Sequence, residues 1–366
     1  MALHETQDKL KILYDGVYNS NPRSGIHRYF YNIIENMPDD LLKYSSTTVS
    51  RTDITNHFIP PFNHFRPHKL SYFLEYAWFL KQNHSRSFDL VHSAYYNLSK
   101  ASFHLIRKGT PHIITVHDLI HELFELPNDQ LIKTRSQILK CAKAIIVVSE
   151  NTKQDLIRVY QSIDVKKIHV IHHGIEASSH RPFISLNKIF DSKFILYVGH
   201  REGYKNFKLI LPVIKKLNKS YNIRLIVVGS KFTTQEKATV AKYEVESKIT
   251  NLGQISDNYL DMLYSQCLAF VYTSIYEGFG YPLIEAMRCG AIPIALNVSC
   301  IPEVLGSAGI LVKQNCNHSM VKQIEMLIEE KDYREKLKIK SLHRIRDFSI
   351  KEQTQKTKYV YDSIIS

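Results

Sequence analysis

The chain has 366 residues, 44% hydrophobic and 23% charged, with a formal net charge of +13 at pH 7. That length exceeds one ordinary core and suits two domains, and the apolar and charged shares are those of a globular protein. No run of about 18 uninterrupted apolar residues occurs, so no spanning helix is expected, and the opening "MALHETQDKLKILYDG" lacks the apolar core of a secretory leader. The five cysteines, Cys141, Cys267, Cys289, Cys300 and Cys316, are scattered and mostly set in apolar surroundings. They suit buried thiols of a reducing compartment, not a disulfide or zinc framework. The basic residues are spread along the chain, which excludes a dense nucleic-acid arm. A spread positive field favours an anionic membrane surface or a phosphorylated substrate, and it equally fits a plain solvated surface. A cytoplasmic protein with peripheral contact at the inner face of the membrane is the expectation.

Strand-like and amphipathic helical stretches alternate. "KILYDGV" predicts a strand, and a Gly/Pro/Ser turn with Asn19, Pro22 and Arg23 leads into the helix "GIHRYFYNIIENM", which Gly25 begins. Further strands are predicted at "FDLVHSA", "HIITVHD", "AIIVVSE" and "KKIHVIHHGI". Residues 57–88 differ, being dense in aromatic, histidine and basic residues and holding the only tryptophan, Trp78. They suit either a packed helix behind a proline-rich loop or a surface touching lipid headgroups. A second series opens at "FILYVGH" and runs through the helix "FKLILPVIKKLN", the strand "IRLIVVGS", a polar helix, "ITNLG", the helix "SDNYLDMLYSQC", and "LAFVYTS", "AIPIAL" and "GILV". Two alternating series joined near residues 178–191 predict an α/β chain of two doubly wound, Rossmann-like domains facing across a cleft, with ligands beyond the carboxyl ends of the strands. The expected boundaries are 1–183 for the first domain, 184–347 for the second, and 348–366 for a terminal helix.

The most informative stretch is "TSIYEGFGYPLIEAMRCGAIPIAL", residues 273–296. A strand ends, a Gly-Phe-Gly turn follows, and a helix opens near Tyr281 and Pro282, where proline suits the first helical turn. Gly290 is placed to end it. A helix N-terminus presents backbone N–H groups to an anionic or hydroxyl-rich ligand, and Glu277 in the turn with Glu285 in the helix's first turn would hold hydroxyls. Arg201 and Lys205 follow "FILYVGH" in a loop opening the next helix; arginine grips two phosphate oxygens and lysine supplies a point charge. Gly25 would let the backbone approach a diphosphate. The dinucleotide fingerprint G-x-G-x-x-G is absent, against NAD or FAD. His117 and Asp118 end "HIITVHD". The pair His172 and His173 suggests a metal site, but adjacent residues point apart and no carboxylate cluster accompanies them.

The pattern E-G-F-G-x-P-x-x-E-A-M after a strand resembles that of the family 4 retaining glycosyltransferases of GT-B fold. "VGHREGYKNFKLIL" is similar to the family's phosphate loop, "TVHDLI" to its histidine motif, "VVSENTKQDL", "VIHHGIE" and "IPEVLGSAGILV" to further segments in the same order, so that residues 11–349 are covered. The resemblance implies an acceptor-binding domain at 1–183, a nucleotide-sugar-binding domain at 184–347 and a helix at 348–366 returning to the first, with a nucleotide diphosphate sugar as donor, no metal, and Glu285 on the nucleotide ribose. It puts Glu277 near the reacting sugar, and gives backbone N–H groups of Phe279, Gly280 and Tyr281 to sugar hydroxyls and diphosphate. It further implies Ile255, in "GQISDN", against the base, His117 on the donor sugar, and Asp118 orienting either the acceptor or His117. Many members carry the arginine directly after the glycine, where this chain has His200. Front-face departure and attack are implied, the leaving phosphate taking the acceptor's proton. "SGIHRY" with "HDL" favours a GDP-mannose type donor and a glycan or lipid-linked acceptor of a surface polysaccharide. A UDP-sugar donor, a nucleotide-sugar 2-epimerase and a non-catalytic scaffold of the same fold are the alternatives.

Overall fold

A computed structural model describes residues 10–15, 25–38, 41–45, 67, 70, 73–74, 77, 88–94, 100–124, 129–176, 193–314 and 317–365. Most of the aromatic segment 57–88, the turn with Asn19, Pro22 and Arg23, and the junction 178–191 lie outside the described residues. The chain divides into two compact units, residues 1–174 with 350–366, and residues 175–349.

The first unit runs β1 (Leu10–Asp15), α1 (Gly25–Asn36), β2 (Leu41–Ser45), β3 (Leu90–Ala94), α2 (Lys100–Arg107), β4 (His112–Val116), α3 (Ile120–Phe124), α4 (Asp129–Cys141), β5 (Ala144–Val147), α5 (Glu150–Val159) and β6 (Ile168–Val170). Its six strands lie in the order β2-β1-β3-β4-β5-β6, all parallel. β3, β4 and β5 are buried along their whole length; β5 is an unbroken apolar run, while the polar His92 and Ser93 of β3 and His112 and Thr115 of β4 are hydrogen-bonded to one another.

The second unit holds β7 (Phe194–Val198), α6 (Ile210–Leu217), β8 (Arg224–Val228), α7 (Thr234–Lys242), β9 (Ile249–Gly253), α8 (Asp257–Gln266), β10 (Ala269–Tyr272), α9 (Tyr281–Arg288), β11 (Pro293–Leu296), α10 (Ile301–Leu305), β12 (Ile310–Val312), α11 (Asn317–Glu329) and α12 (Lys331–Arg344). Its parallel sheet has the order β12-β11-β10-β7-β8-β9. From β7 the chain winds outward to β8 and β9, and from β10 to β11 and β12. The sheet's switch point therefore lies at the carboxyl ends of β7 and β10, where open α/β sheets bind their ligands. The core packs Ile195, Ile210, Ile214, Val271, Ile294, Met320 and Ile324 between strands and helices.

Residues 207–218 were predicted as one helix. They instead form a 3-10 turn over Phe207–Leu209 before α6. Pro212 is the third residue of α6, where a missing N–H breaks no intrahelical bond, so the regular helix starts only just ahead of it. The terminal helix α13 (Ile350–Ile365) belongs to the first unit and packs on α1.

Candidate active site

In the second unit, two loops leave the switch point side by side. The loop after β7 turns at Asn206, which takes a left-handed backbone (φ 51) that asparagine tolerates. The loop after β10 is stitched to it: Thr273 Oγ1 donates to the Lys205 carbonyl at 2.7 Å, and the Ile275 amide to the Tyr204 carbonyl at 2.8 Å. These bonds bring two expected site residues together. Lys205 Nζ lies 2.6 Å from Glu277 Oε1, and the two side chains are 18% and 10% exposed. The ammonium also stands 5.0 Å from the Tyr204 ring centroid, a cation–π distance.

Gly280 starts α9 from a left-handed conformation (φ 82, ψ 57), with no side chain capping the helix. Only glycine adopts that conformation cheaply; within the turn that follows, Pro282 carries no N–H and the Leu283 amide donates back to the Gly280 carbonyl at 2.8 Å. Phe279 is buried edge-to-face against Phe348, so its ring packs and its backbone is what the turn presents. Gly290 (φ 72) closes α9, the Ala291 amide donating to the Ala286 carbonyl and the Gly290 amide to the Met287 carbonyl, a Schellman closure.

Glu285 was expected in the first turn of this helix. It is the fifth residue of α9 and buried: the helix begins at Tyr281 as expected, and at 3.6 residues per turn its fifth residue opens the second turn. Arg201 is not a bare phosphate clamp. Its Nε and Nη2 reach both oxygens of Glu236, at 2.6 and 3.1 Å, and Nη2 donates to the Lys231 carbonyl at 3.2 Å. The guanidinium lies 4.8 Å from the Phe232 ring centroid, and its buried Nη1 has no hydrogen-bond partner. Glu236 also takes the Thr233 amide in the capping box of α7. Burial pushes the Glu236 carboxyl up, but the Arg201 and Thr233 bonds outweigh it and hold it below the usual carboxylate range. Ile255 is half-buried beyond β9, the edge strand two removed from β7.

In the first unit, Gly25 is exposed at the start of α1, and a Cβ there would meet nothing within 4 Å. His117, directly after β4, is buried, with its ring edge-to-face against Tyr29 (4.9 Å) and tilted against His173 (5.7 Å). Its Nε2 has no hydrogen-bond partner. Burial lowers its pKa to about 3, so the ring is a neutral imidazole at physiological pH. Asp118 accepts the Ile120 amide at 3.1 Å and so caps α3. Behind His117 runs a buried chain of hydrogen bonds: Tyr361 OH to His92 Nδ1 (2.6 Å), His92 Nε2 to Thr115 Oγ1 (2.7 Å), and Thr115 Oγ1 to Tyr29 OH (3.2 Å). Among the described residues no group of three or more His, Cys, Asp or Glu side chains gathers to hold a metal ion.

Residues 24–179 match the model described as Glycosyltransferase Family 4, and residues 183–344 that of Glycosyl transferases group 1. The chain belongs to the family 4 glycosyltransferases of GT-B fold. It is 27% identical over 277 residues to O-antigen chain mannosyltransferase B of Escherichia coli, covering 71% of this chain and 72% of the relative. It is 30% identical over 231 residues to O-antigen chain mannosyltransferase RfbU of Salmonella typhimurium, covering 61% and 62%. Among solved structures, a glycosyltransferase from Rickettsia africae superposes with a TM-score of 0.75 at 22% identity, over 98% of this chain and 99% of that one.

Four residues that contact the expected site residues went unpredicted. Glu236 holds Arg201; Ser299 and Cys300 bond the backbone of Glu277; and Tyr29 packs on His117. The spacing of Thr233 and Glu236 is a capping-box signature and could have revealed the first. The others act through contacts between distant segments, for which no local signal exists.

Proposed function

We propose that the enzyme moves a hexose, with retention of anomeric configuration and without a metal ion, from a nucleotide diphosphate sugar of GDP-mannose type to a glycan or lipid-linked acceptor in surface polysaccharide synthesis. The observation that carries this reading is the Lys205–Glu277 pair at the switch point, beside the uncapped start of α9. The similarity to two O-antigen mannosyltransferases supports the mannose donor.

The bond from the sugar's anomeric carbon to the diphosphate oxygen breaks, and negative charge grows on that oxygen. Lys205 has three N–H donors, so it holds Glu277 and a phosphate oxygen together. The N–H groups of Phe279, Gly280 and Tyr281 share the diphosphate and sugar hydroxyls, and Glu285 accepts from the ribose. The acceptor hydroxyl attacks the face the leaving group vacates, and its proton passes to the departing phosphate oxygen. His117, uncharged, is assigned to a sugar hydroxyl and Asp118 to the acceptor side. Gly25 is assigned to close backbone approach, and Ile255 to the base. Arg201 acts on phosphate through Nη1 alone, its other donors being held by Glu236 and the Lys231 carbonyl. Among the described residues no helix is long and apolar enough to cross a membrane. The charge of +13 supports peripheral contact with an anionic membrane face from the cytoplasm.

A thermal-shift panel of GDP, UDP, ADP and their sugars tests the donor, since a ligand bound only by the folded protein raises its melting point. GDP and GDP-mannose should stabilise most. Stabilisation by UDP-sugars alone overturns the mannose donor, and no stabilisation by any nucleotide overturns the enzyme reading. NMR of the product's anomeric proton reports retention or inversion.

A further inference from the structure

Ser299 stands in the turn between β11 and α10, outside every motif read from the sequence. Its backbone is left-handed, with φ 53, in a stretch where glycine would be the least costly residue. A strained non-glycine residue persists where its side chain is needed. Here the hydroxyl makes two bonds to one residue. It accepts from the Glu277 amide at 3.2 Å and donates to the Glu277 carbonyl at 2.6 Å. The neighbouring Cys300 is buried and donates its thiol hydrogen to the same carbonyl at 3.1 Å. Burial first, and the nearby Glu277 charge second, push the Cys300 thiol well above its ordinary range, so it stays protonated and keeps donating.

Glu277 is thus held at both ends of its peptide by the β11–α10 turn, while its carboxylate holds Lys205. The loops after β7 and β10 are already joined by the Thr273 and Ile275 bonds. The Ser299 contacts add a third loop, from β11, the next strand along the sheet. A carboxylate whose backbone could swing by even one ångström would draw the ammonium with it, and transfer rates are sensitive to displacements of that size.

We propose that Ser299 is a positioning residue of the donor site: its hydroxyl clamps the backbone of Glu277 and thereby fixes the Glu277–Lys205 pair. This rests on the donor reading given above. Ser299 touches neither donor nor acceptor. Its loss therefore lowers kcat more than it raises the KM for the donor, because a misplaced pair still binds diphosphate but no longer meets the leaving oxygen in the transition state.

Two variants separate the clamp from the strain. Ser299→Ala removes both bonds and keeps the left-handed backbone of a residue with a Cβ. Ser299→Gly removes both bonds and relieves the strain, so its melting temperature should stay within a few degrees of the parent. Both should lose about ten- to a hundred-fold in kcat with the donor KM changed less than about three-fold, in the range seen for misplaced catalytic groups. Hydrogen exchange reads the clamp without any substrate: the Glu277 amide should exchange about ten-fold faster or more in both variants, having lost its acceptor. Unchanged exchange overturns the clamp. Faster exchange with parental kcat in Ser299→Gly overturns the positioning role. A parent enzyme inactive on every nucleotide sugar overturns the donor reading and the catalytic half of the proposal, and the exchange result still decides the clamp.

Discussion

Lys205 Nζ and Glu277 Oε1 are 2.6 Å apart, although 72 residues separate them in the chain and each is mostly buried. The pair forms because β7 and β10 are hydrogen-bonded neighbours whose carboxyl ends point the same way. On the proposed function, removing the cation takes away charge stabilisation at the leaving diphosphate. Losing one such donor costs about 10²–10³-fold in kcat in well-studied sites. Lys205→Ala is therefore expected to lose transfer on that scale, with a melting temperature lowered by the loss of the Glu277 carboxylate's ion pair. Glu277→Ala should lose a similar amount. The double variant should be no worse than the poorer single one, since the two act as a unit. Steady-state kinetics of the three enzymes checks this, and full additivity would show two independent roles.

Arg201 should behave differently, because its guanidinium serves the unit's own framework. Three of its hydrogen bonds go to Glu236 and the Lys231 carbonyl. Breaking a buried pair by deleting one partner costs about 3–5 kcal/mol, as the remaining charge is left uncompensated. Arg201→Ala, which removes a side chain 3% exposed, is expected to lower the melting temperature more than Lys205→Ala, which removes one 18% exposed. Equal melting temperatures in the two variants would return Arg201 to a purely ligand-facing role.

The strands and the glutamate motif were legible in the sequence because buried parallel strands are unbroken apolar runs and because the glycines of "EGFG" demand a turn. "AIIVVSE" became β5, and "FILYVGH" became β7. The partnership of Arg201 was not legible, since nothing in "GHREG" tells whether a guanidinium faces a phosphate or a carboxylate 35 residues away. β2 was missed because "LLKYS" opens with only two consecutive apolar residues, too short a run to show a period, although Pro38, Asp39 and Asp40 precede it. The helix α12 is polar nearly all round, with Leu337 and Ser341 its buried residues, and gave no pattern; α11 does carry Met320, Val321, Ile324 and Leu327 at helical spacing, a legible pattern that the predicted elements omit. The clamp by Ser299 joins segments 22 residues apart and carries no local pattern.

Acid should weaken the first unit through its buried histidines. Burial lowers His112 to about 4 and His117 to about 3, and lowers His92 and His173 as well. Each is neutral when folded and binds a proton near its ordinary value of about 6.5 when unfolded. Between those values the unfolded chain holds more protons, so stability rises with pH. It is fully present above about pH 6.5 and falls as the pH drops toward 4 and 3. The slope is on the order of 1.4 kcal/mol per pH unit for each such histidine. Melting temperatures across pH 7 to 5 should fall steadily, and His112→Gln should flatten the slope. A flat profile for the parent would show these rings to be protonated in the folded state.

Gly280→Ala tests the entrance to α9. An alanine at φ 82 costs about 1–2 kcal/mol, and its Cβ would stand 3.0 Å from Leu283 Cδ1, which can yield. The melting temperature should drop by about 2–8 °C. Affinity for the nucleotide diphosphate by calorimetry should weaken too, as the turn bearing the Phe279 to Tyr281 amides shifts. Unchanged affinity would remove those amides from the phosphate site.

Tyr361→Phe tests how α13 is fastened within the first unit. Its hydroxyl bonds His92 Nδ1 at 2.6 Å inside a fully buried chain that continues to Thr115 and Tyr29. Phenylalanine fills nearly the same volume, so no cavity forms. What remains is a buried ring nitrogen without its partner, a loss of about 1–3 kcal/mol. Tyr359, two residues earlier on the same helix and 72% exposed, provides the control. Tyr361→Phe should lower the melting temperature by several degrees and quicken exchange along α13, while Tyr359→Phe should do neither. Equal behaviour of the two variants would mean that the helix is fastened by apolar packing alone, and that the His92 bond contributes nothing net against water.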